Sequence, residues 1–291
     1  MTISEILKKY PNIEIELLLA YVLKKPREFV FMNGEKRLSA YQLTRLLALV
    51  KRRLRGEPIA YILGYKDFYG LRFKVNKNVL IPRPETEWLV DRVIARIRQL
   101  AETKQSRLPH PSEALGVRND KIRILDLATG SGCIAISIAK QLQISNVQYQ
   151  ISASDISKKA LVVARQNAKV HKVKVTVKLS NILENVGKDF DIIVANLPYV
   201  PKKNYKLRMK NLEWEPKIAL VDPKKDFNLY EKFFQQVGQH ITTQSRILLE
   251  MDPTTKFPIQ KFVKKYLRGW KVKFFKDYNG LWRYAEITYN F

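Results

Sequence analysis

The sequence predicts an α/β protein: a doubly wound, mostly parallel sheet with an antiparallel last strand, preceded by a small helical domain. Three observations carry this. From Ile122 onward, apolar strand-length runs alternate with amphipathic helix-length segments across short loops, as in parallel strands covered on both faces. The last two strand-like runs, 271–276 and 283–288, are joined at Tyr278-Asn279-Gly280, which makes them an antiparallel edge hairpin. Residues 1–63 instead carry apolar side chains at spacings of three and four, the helical period.

The elements follow in order. Ile3, Ile6 and Leu7 mark one helical face, Ile15, Leu18, Leu19 and Val22 a second, and Leu43, Leu46, Leu47 and Val50 a third, with Ser39 as its N-cap. Gly64 to Val75 alternates through Leu71-Arg-Phe-Lys-Val75 and reads as a β-hairpin. Two prolines keep Ile81-Pro-Arg-Pro-Glu85 extended, so residues 64–82 form a hairpin and linker. Thr86 opens a helix to about residue 100. Residues 101–120 are polar, contain Pro109, Pro111 and Gly116, and are expected to be a flexible insertion without chemistry. Over 83–291 the expected strands are 122–127, 149–154, 173–179, 190–195, 246–250 and the closing pair. The helices between them are 133–141, 158–171, 228–242 and 255–267.

The chain has 291 residues, 46% hydrophobic, enough for a core in each of two domains. The one cysteine, Cys133, excludes an internal disulfide framework and fits a reducing, cytoplasmic compartment. Its place at a helix start would favour a reactive thiol, but packing as a small hydrophobe is the expected role. No signal peptide or membrane span is visible, since the apolar run 17–23 is far shorter than the ~20 residues needed. The net charge of +26 is compatible with ribosome or RNA proximity, and equally with a lysine-rich surface of no specific role. A monomer is expected.

Two constellations carry chemistry. Asp126-Leu-Ala-Thr-Gly-Ser-Gly132 is a glycine-bearing turn between a strand and a helix. Gly130 and Gly132 allow a sharp bend and close approach of a ligand. Asp155, ending the next strand, is placed to bind ribose hydroxyls across the crevice, with Ser157 serving as the helix cap instead. Gly130-x-Gly132-x-x-Ala135 also satisfies a relaxed dinucleotide fingerprint, so the turn alone leaves NAD open. Asp126 would repel a pyrophosphate and could pair with a cationic amino group, which favours S-adenosylmethionine. Asn181 and Ile182, after the third strand, are placed to edge and cover an adenine.

The second constellation is Asn196-Leu197-Pro198-Tyr199, ending an apolar strand. An amide nitrogen is a poor nucleophile. The Asn196 side-chain oxygen and the Leu197 carbonyl would hold its two protons, aim the nitrogen at a methyl carbon and stabilise the positive charge that develops. Tyr199 would pack against the amide plane. The three histidines, His110, His171 and His240, lie in unrelated segments and read as surface residues, and no Cys/His cluster points to a metal.

On these residues the chain resembles the release-factor glutamine methyltransferases (the HemK/PrmC family) over nearly its whole length. The resemblance rests on Gly56-Glu-Pro-Ile-Ala60 with Gly64 and Phe68, on Ile81-Pro-Arg-Pro-Glu-Thr-Glu87, on Ile124 to Ala135, and on Glu215-Pro-Lys-Ile-Ala-Leu220. It implies a helical N-terminal domain and a class I S-adenosylmethionine-dependent methyltransferase domain. The implied substrate is the glutamine in the Gly-Gly-Gln loop of class I peptide chain release factors. By position it implies that Ala128, Thr129, Gly130, Ser131, Gly132, Asp155, Ile182 and Asn196 contact the cofactor, and that Asn196 to Tyr199 hold the glutamine. The chain departs from the family pattern at Leu197 (usually proline), at Ala128 (usually glycine; a modest change if φ is negative there) and at Asn181 (frequently acidic). Two other readings stay open: an adenine-N6 methyltransferase acting on ribosomal RNA, and a basic ribosome-associated protein with a decayed methyltransferase site.

Overall fold

The computed structural model describes residues 1–11, 13–106, 121–144, 147–207, 212–222, 224 and 226–290. The chain divides into two compact units, Met1–Tyr65 and Lys66–Phe291.

The first unit is helical: Ile3–Lys9, Ile13–Leu23, Arg27–Met32, Ala40–Leu54 and Ile59–Leu63. Ile3, Ile6, Ile15, Leu18, Leu19, Val22, Leu46 and Val50 form its core, as their spacing predicts. Leu47 falls off that face and is 40% exposed. Ser39 caps its helix by accepting from Gln42 N–H, and Gln42 closes a capping box in return.

A two-stranded hairpin follows, β1 (Tyr65–Phe68) and β2 (Leu71–Lys74), which lies in the second unit from Lys66 onward. Tyr69 and Gly70 both have positive φ, as its two-residue turn requires. Phe68 and Phe73 join one core with Leu89 and Ile134, which packs the hairpin into this unit. The fully buried Asn167 fixes it. Its Oδ1 accepts from Lys74 N–H at 2.8 Å, while its Nδ2 donates to the carbonyls of Lys74 (3.1 Å) and Ser131 (2.8 Å).

Seven strands then form the main sheet: β3 (Ile122–Leu127), β4 (Tyr149–Asp155), β5 (Thr176–Leu179), β6 (Phe190–Asn196), β7 (Ile241–Glu250), β8 (Trp270–Lys276) and β9 (Trp282–Tyr289). Their order is β5-β4-β3-β6-β7-β9-β8, with β3 to β7 parallel and β9 antiparallel to both neighbours. The closing hairpin does lie at an edge, with β9 inserted inside β8. Helices Glu87–Ser106 and Cys133–Leu142 cover one face, and Asn228–Val237 and Lys256–Tyr266 the other. Apolar residues of each central strand enter both cores alternately, Ile124 into one and Leu125 into the other.

Several boundaries differ from the sequence expectation. The helix after Thr86 begins as a 3-10 turn, Pro84–Thr86, and continues to Ser106, so residues 101–106 are helical. The remaining expected insertion, 107–120 with His110, lies outside the described residues. β5 starts only at Thr176, and Val173 to Val175 are not strand. β7 begins at Ile241, so Ile241 and Thr242 belong to it rather than to the preceding helix; Phe190 pairs with Ile241 and the Ser245 hydroxyl binds the Phe190 carbonyl. His240 is buried, not superficial, with Nδ1 2.7 Å from the Gly187 carbonyl. Among the described residues no helix is long and apolar enough to cross a membrane.

Replacing Asn167 with Ala leaves both peptide groups of Lys74 and the Ser131 carbonyl without partners. Urea denaturation should show a loss of about 2–4 kcal/mol, and a loss below about 0.5 kcal/mol would mean that water substitutes fully.

Candidate active site

Strand order reverses between β3 and β6, the switch point at which an open α/β sheet forms a crevice beyond its carboxyl ends. A cleft open to solvent lies there. Of the residues picked out by sequence, Ala128, Gly130 and Asp155 line it on one side, and Asn181 and Ile182 at the next strand end. Asn196, Leu197 and Pro198 line it from β6. Asp126, Thr129, Ser131, Gly132 and Tyr199 are not at its surface.

Asp126 departs most from its expected part. It is fully buried, and Oδ2 accepts from the Thr129 hydroxyl (2.5 Å) and from Ala135 N–H (3.0 Å) in the first turn of helix Cys133–Leu142. The carboxylate caps that helix instead of facing a ligand amine, and Oδ1 has no hydrogen-bond partner among the described residues. Burial pushes its carboxyl up to about 7, against the two hydrogen bonds. Cys133 is likewise buried, its thiol pushed up to about 12, so it packs as a small hydrophobe.

Asp155 accepts from Gly130 N–H at 3.0 Å and Ser157 N–H at 2.8 Å. Ser157 caps the helix Lys158–Val170 by accepting from Ala160 N–H, so Asp155 is released from capping and presents its remaining lone pairs to the cleft. Burial raises its carboxyl too, opposed by those backbone donors.

The backbone around the cleft is strained. Ala128 sits at φ +58°, in the left-handed region where the family's glycine costs nothing and alanine does. The condition for a modest change, a negative φ at this position, is therefore not met. Ile182 is also left-handed, at φ 58°, an outlier for a β-branched residue. The Ser180 hydroxyl holds that turn, donating to the Ile182 carbonyl and accepting from Asn185 N–H. Asn181 donates Nδ2 to Glu184 beside this turn.

Three residues that sequence reasoning did not pick out complete the site. Thr86, read as a helix opener, accepts from Asn196 Nδ2 at 3.3 Å and donates to Glu250 Oε2 at 2.7 Å. Glu250, 1% exposed at the end of β7, also accepts from the Tyr199 hydroxyl at 2.9 Å. Burial pushes the Glu250 carboxyl up, while Thr86, Tyr199 and the Arg283 guanidinium pull it down. Glu215, also buried, accepts from Ile81 N–H at 3.0 Å and pairs with Arg83. The legible signal for Glu250 was a carboxylate ending the apolar run Ile247 to Leu249 at a sheet's carboxyl edge.

The described lining holds one charged group, Asp155, and no lysine or arginine. Asp126 takes the Ala135 N–H of the helix N-terminus, and a pyrophosphate would meet no cation in this lining. The walls suit a phosphate-free nucleoside instead, with one carboxylate, Asp155, among the apolar Leu127, Ile156 and Ile182. Among the described residues no cluster of His, Cys, Asp or Glu is placed to hold a metal ion.

Sheet order, crevice and acidic strand end together define the class I S-adenosylmethionine-dependent methyltransferase fold. The catalytic domain of hMettl16, solved with a MAT2A 3'UTR hairpin, shares it at a TM-score of 0.54 and 12% identity, over 94% of this chain and 91% of that one. Residues 3–64 match the PrmC N-terminal domain, and 113–212 the methyltransferase small domain. A release factor glutamine methyltransferase of Buchnera aphidicola subsp. Acyrthosiphon pisum is 34% identical over 271 residues, 93% of this chain and 89% of that protein. This chain belongs to the release factor glutamine methyltransferase family. It is also 36% identical over 252 residues to a bifunctional methyltransferase of Rickettsia bellii, 83% of this chain, and the match spans about half (45%) of that longer relative.

Two outcomes follow from the site. Ala128→Gly should relieve a left-handed penalty of about 1–2 kcal/mol against a glycine entropy cost of about 0.5–1 kcal/mol. A net gain of about 0.5–1 kcal/mol is expected in denaturant melts, and a destabilised variant would contradict the strain. Asp126 holds a proton in the folded state up to about pH 7 that the unfolded chain releases near its ordinary value of 3.8. Its contribution is therefore full below that lower value and is lost as pH rises towards 7. Asp126→Asn should flatten the fall of stability across this window. Asp155 and Glu250, raised in the same direction, leave a residual slope. An unchanged slope would mean that Asp126 titrates normally.

Proposed function

We propose that this chain transfers a methyl group from S-adenosylmethionine to the side-chain amide nitrogen of the glutamine in the Gly-Gly-Gln loop of a peptide chain release factor. Family membership supports the reading, and one observation carries it. Asn196 lines the cleft at the end of β6 with Nδ2 turned to Thr86, which leaves Oδ1 as the group offered to the cleft. A carboxamide oxygen there, beside the Leu197 carbonyl, accepts both protons of a glutamine NH2. It orients the nitrogen and stabilises the charge that grows on it.

The cofactor, when bound, supplies an electrophilic methyl on a positively charged sulfur, whose departure drives the reaction. Asp155 would hold its ribose, and Asn181 with Ile182 its base. The chain's own task is orientation and exclusion of water. No histidine lines the described cleft, and Asp155 is engaged by two backbone donors, so the amide proton leaves to solvent after transfer. A release-factor substrate implies action in the cytoplasm.

The test supplies labelled S-adenosylmethionine with a release factor in one arm and ribosomal RNA in the other. Label is expected on the Gly-Gly-Gln glutamine. Asn196→Ala should cut turnover by about 100-fold or more while S-adenosylhomocysteine affinity stays within a few fold. Label on RNA, or equal loss of turnover and affinity, overturns the proposal.

A further inference from the structure

Asn196 and Glu250 are direct cross-strand partners on β6 and β7, and Glu250 in turn pairs with Tyr284 on β9. All three therefore point to the face that helix Glu87–Ser106 covers, and Thr86 sits at the start of that helix. Thr86 is 3% exposed, so water does not compete for its hydroxyl. The two oxygens of Glu250 are divided: Oε2 takes the Thr86 O–H and Oε1 takes the Tyr199 O–H. One buried carboxylate thus grips the catalytic corner on both sides.

With Glu250 ionised, the hydrogen-bond directions follow from its two donors, the Thr86 and Tyr199 hydroxyls. An ionised carboxylate only accepts, so the Thr86 proton must point at Glu250. The Thr86 oxygen then faces Asn196 as an acceptor, and only the NH2 end of that carboxamide can meet it. The other end, Oδ1, is left towards the cleft. With the opposite carboxamide orientation, an NH2 would confront the substrate's NH2, donor against donor.

We infer that Glu250, acting through the Thr86 hydroxyl, is a positioning residue that selects which end of the Asn196 carboxamide faces the substrate amide. Glu250 touches no substrate. It sets the sense of a two-bond relay whose last member does. The inference deepens the methyl-transfer reading and rests on it for its catalytic consequence, but the orientation of Asn196 is measurable without turnover.

In protein labelled with 15N-asparagine, the Asn196 side-chain amide is identified by its loss in Asn196→Ala, and its hydrogen exchange is followed by NMR. In the wild type this amide should be protected. Thr86→Val removes the acceptor at nearly constant shape, and Glu250→Gln puts an NH2 into the carboxylate's place. Asn196 protection should fall at least about tenfold in Thr86→Val and fall in Glu250→Gln, while Thr86→Ser keeps it. With the release-factor substrate, Thr86→Val should lower kcat/KM by about 10–100-fold. S-adenosylhomocysteine affinity should stay within about twofold, and Thr86→Ser should restore the rate. The double variant Thr86→Val/Glu250→Gln should be no worse than its worse parent, since both cut one relay.

Unchanged Asn196 exchange in well-folded Thr86→Val and Glu250→Gln overturns the inference, as do additive losses in the double variant. If the exchange results hold and wild-type protein labels no release factor, the relay stands and the substrate reading fails. Should both single variants melt early, Thr86→Ser decides: a wild-type fold that has lost Asn196 protection refutes the relay, and retained protection supports it.

Discussion

Two buried carboxylates clamp the segment Ile81–Glu87 across the carboxyl edge of the sheet, and the cleft depends on that clamp. Glu215 takes the Ile81 N–H and the Arg83 guanidinium at one end, and Glu250 takes the Thr86 hydroxyl at the other. Pro82 belongs to the extended first part of this stretch, and Pro84 opens the 3-10 turn Pro84–Thr86 that carries the chain to the second anchor. Each carboxylate is costly to bury alone and is held by several donors, which ties local order to the correct closure of both ends. The segment thereby delivers Thr86 beside Asn196 and starts the helix that covers one face of the sheet.

This clamp explains why motifs far apart in the chain form one site. Glu215 lies 134 residues beyond Ile81, and Glu250 lies 164 beyond Thr86. Neither contact follows from periodicity or from a local turn. The parallel strands were legible because burial on both faces writes continuous apolar runs into the chain. The glycine turn and the Asn196 corner were legible because strand ends in a doubly wound sheet face the same crevice.

What escaped the sequence reading was decided by tertiary context. Asp126 and Asp155 are both acidic residues at strand ends, and only the fold shows that one caps a helix while the other opens onto the cleft. The sign of φ at Ala128 and the burial of His240 depend on neighbours that no local pattern encodes. Strand β7 runs five residues further back than its hydrophobicity suggests: Ile241 pairs with Phe190, and the polar Thr242 to Ser245 bulge before pairing resumes at Arg246, with the Ser245 hydroxyl accepting from Thr242 N–H and donating to the Phe190 carbonyl. The apolar lining and single carboxylate then settle a question the glycine pattern left open. They give a pyrophosphate no counter-charge and a sulfonium nucleoside nothing to repel it.

Asn167 has a further consequence for how such a chain can diverge. Lys74 enters that contact through its peptide groups alone, while its side chain points into solvent, so residue 74 is at liberty to drift. Position 167, 93 residues away, is not: donor and acceptor must sit together on one short arm. Aspartate lacks the donor, leucine lacks both groups, and glutamine is a methylene too long. Two ends of one contact are thus held to very different evolutionary tempos.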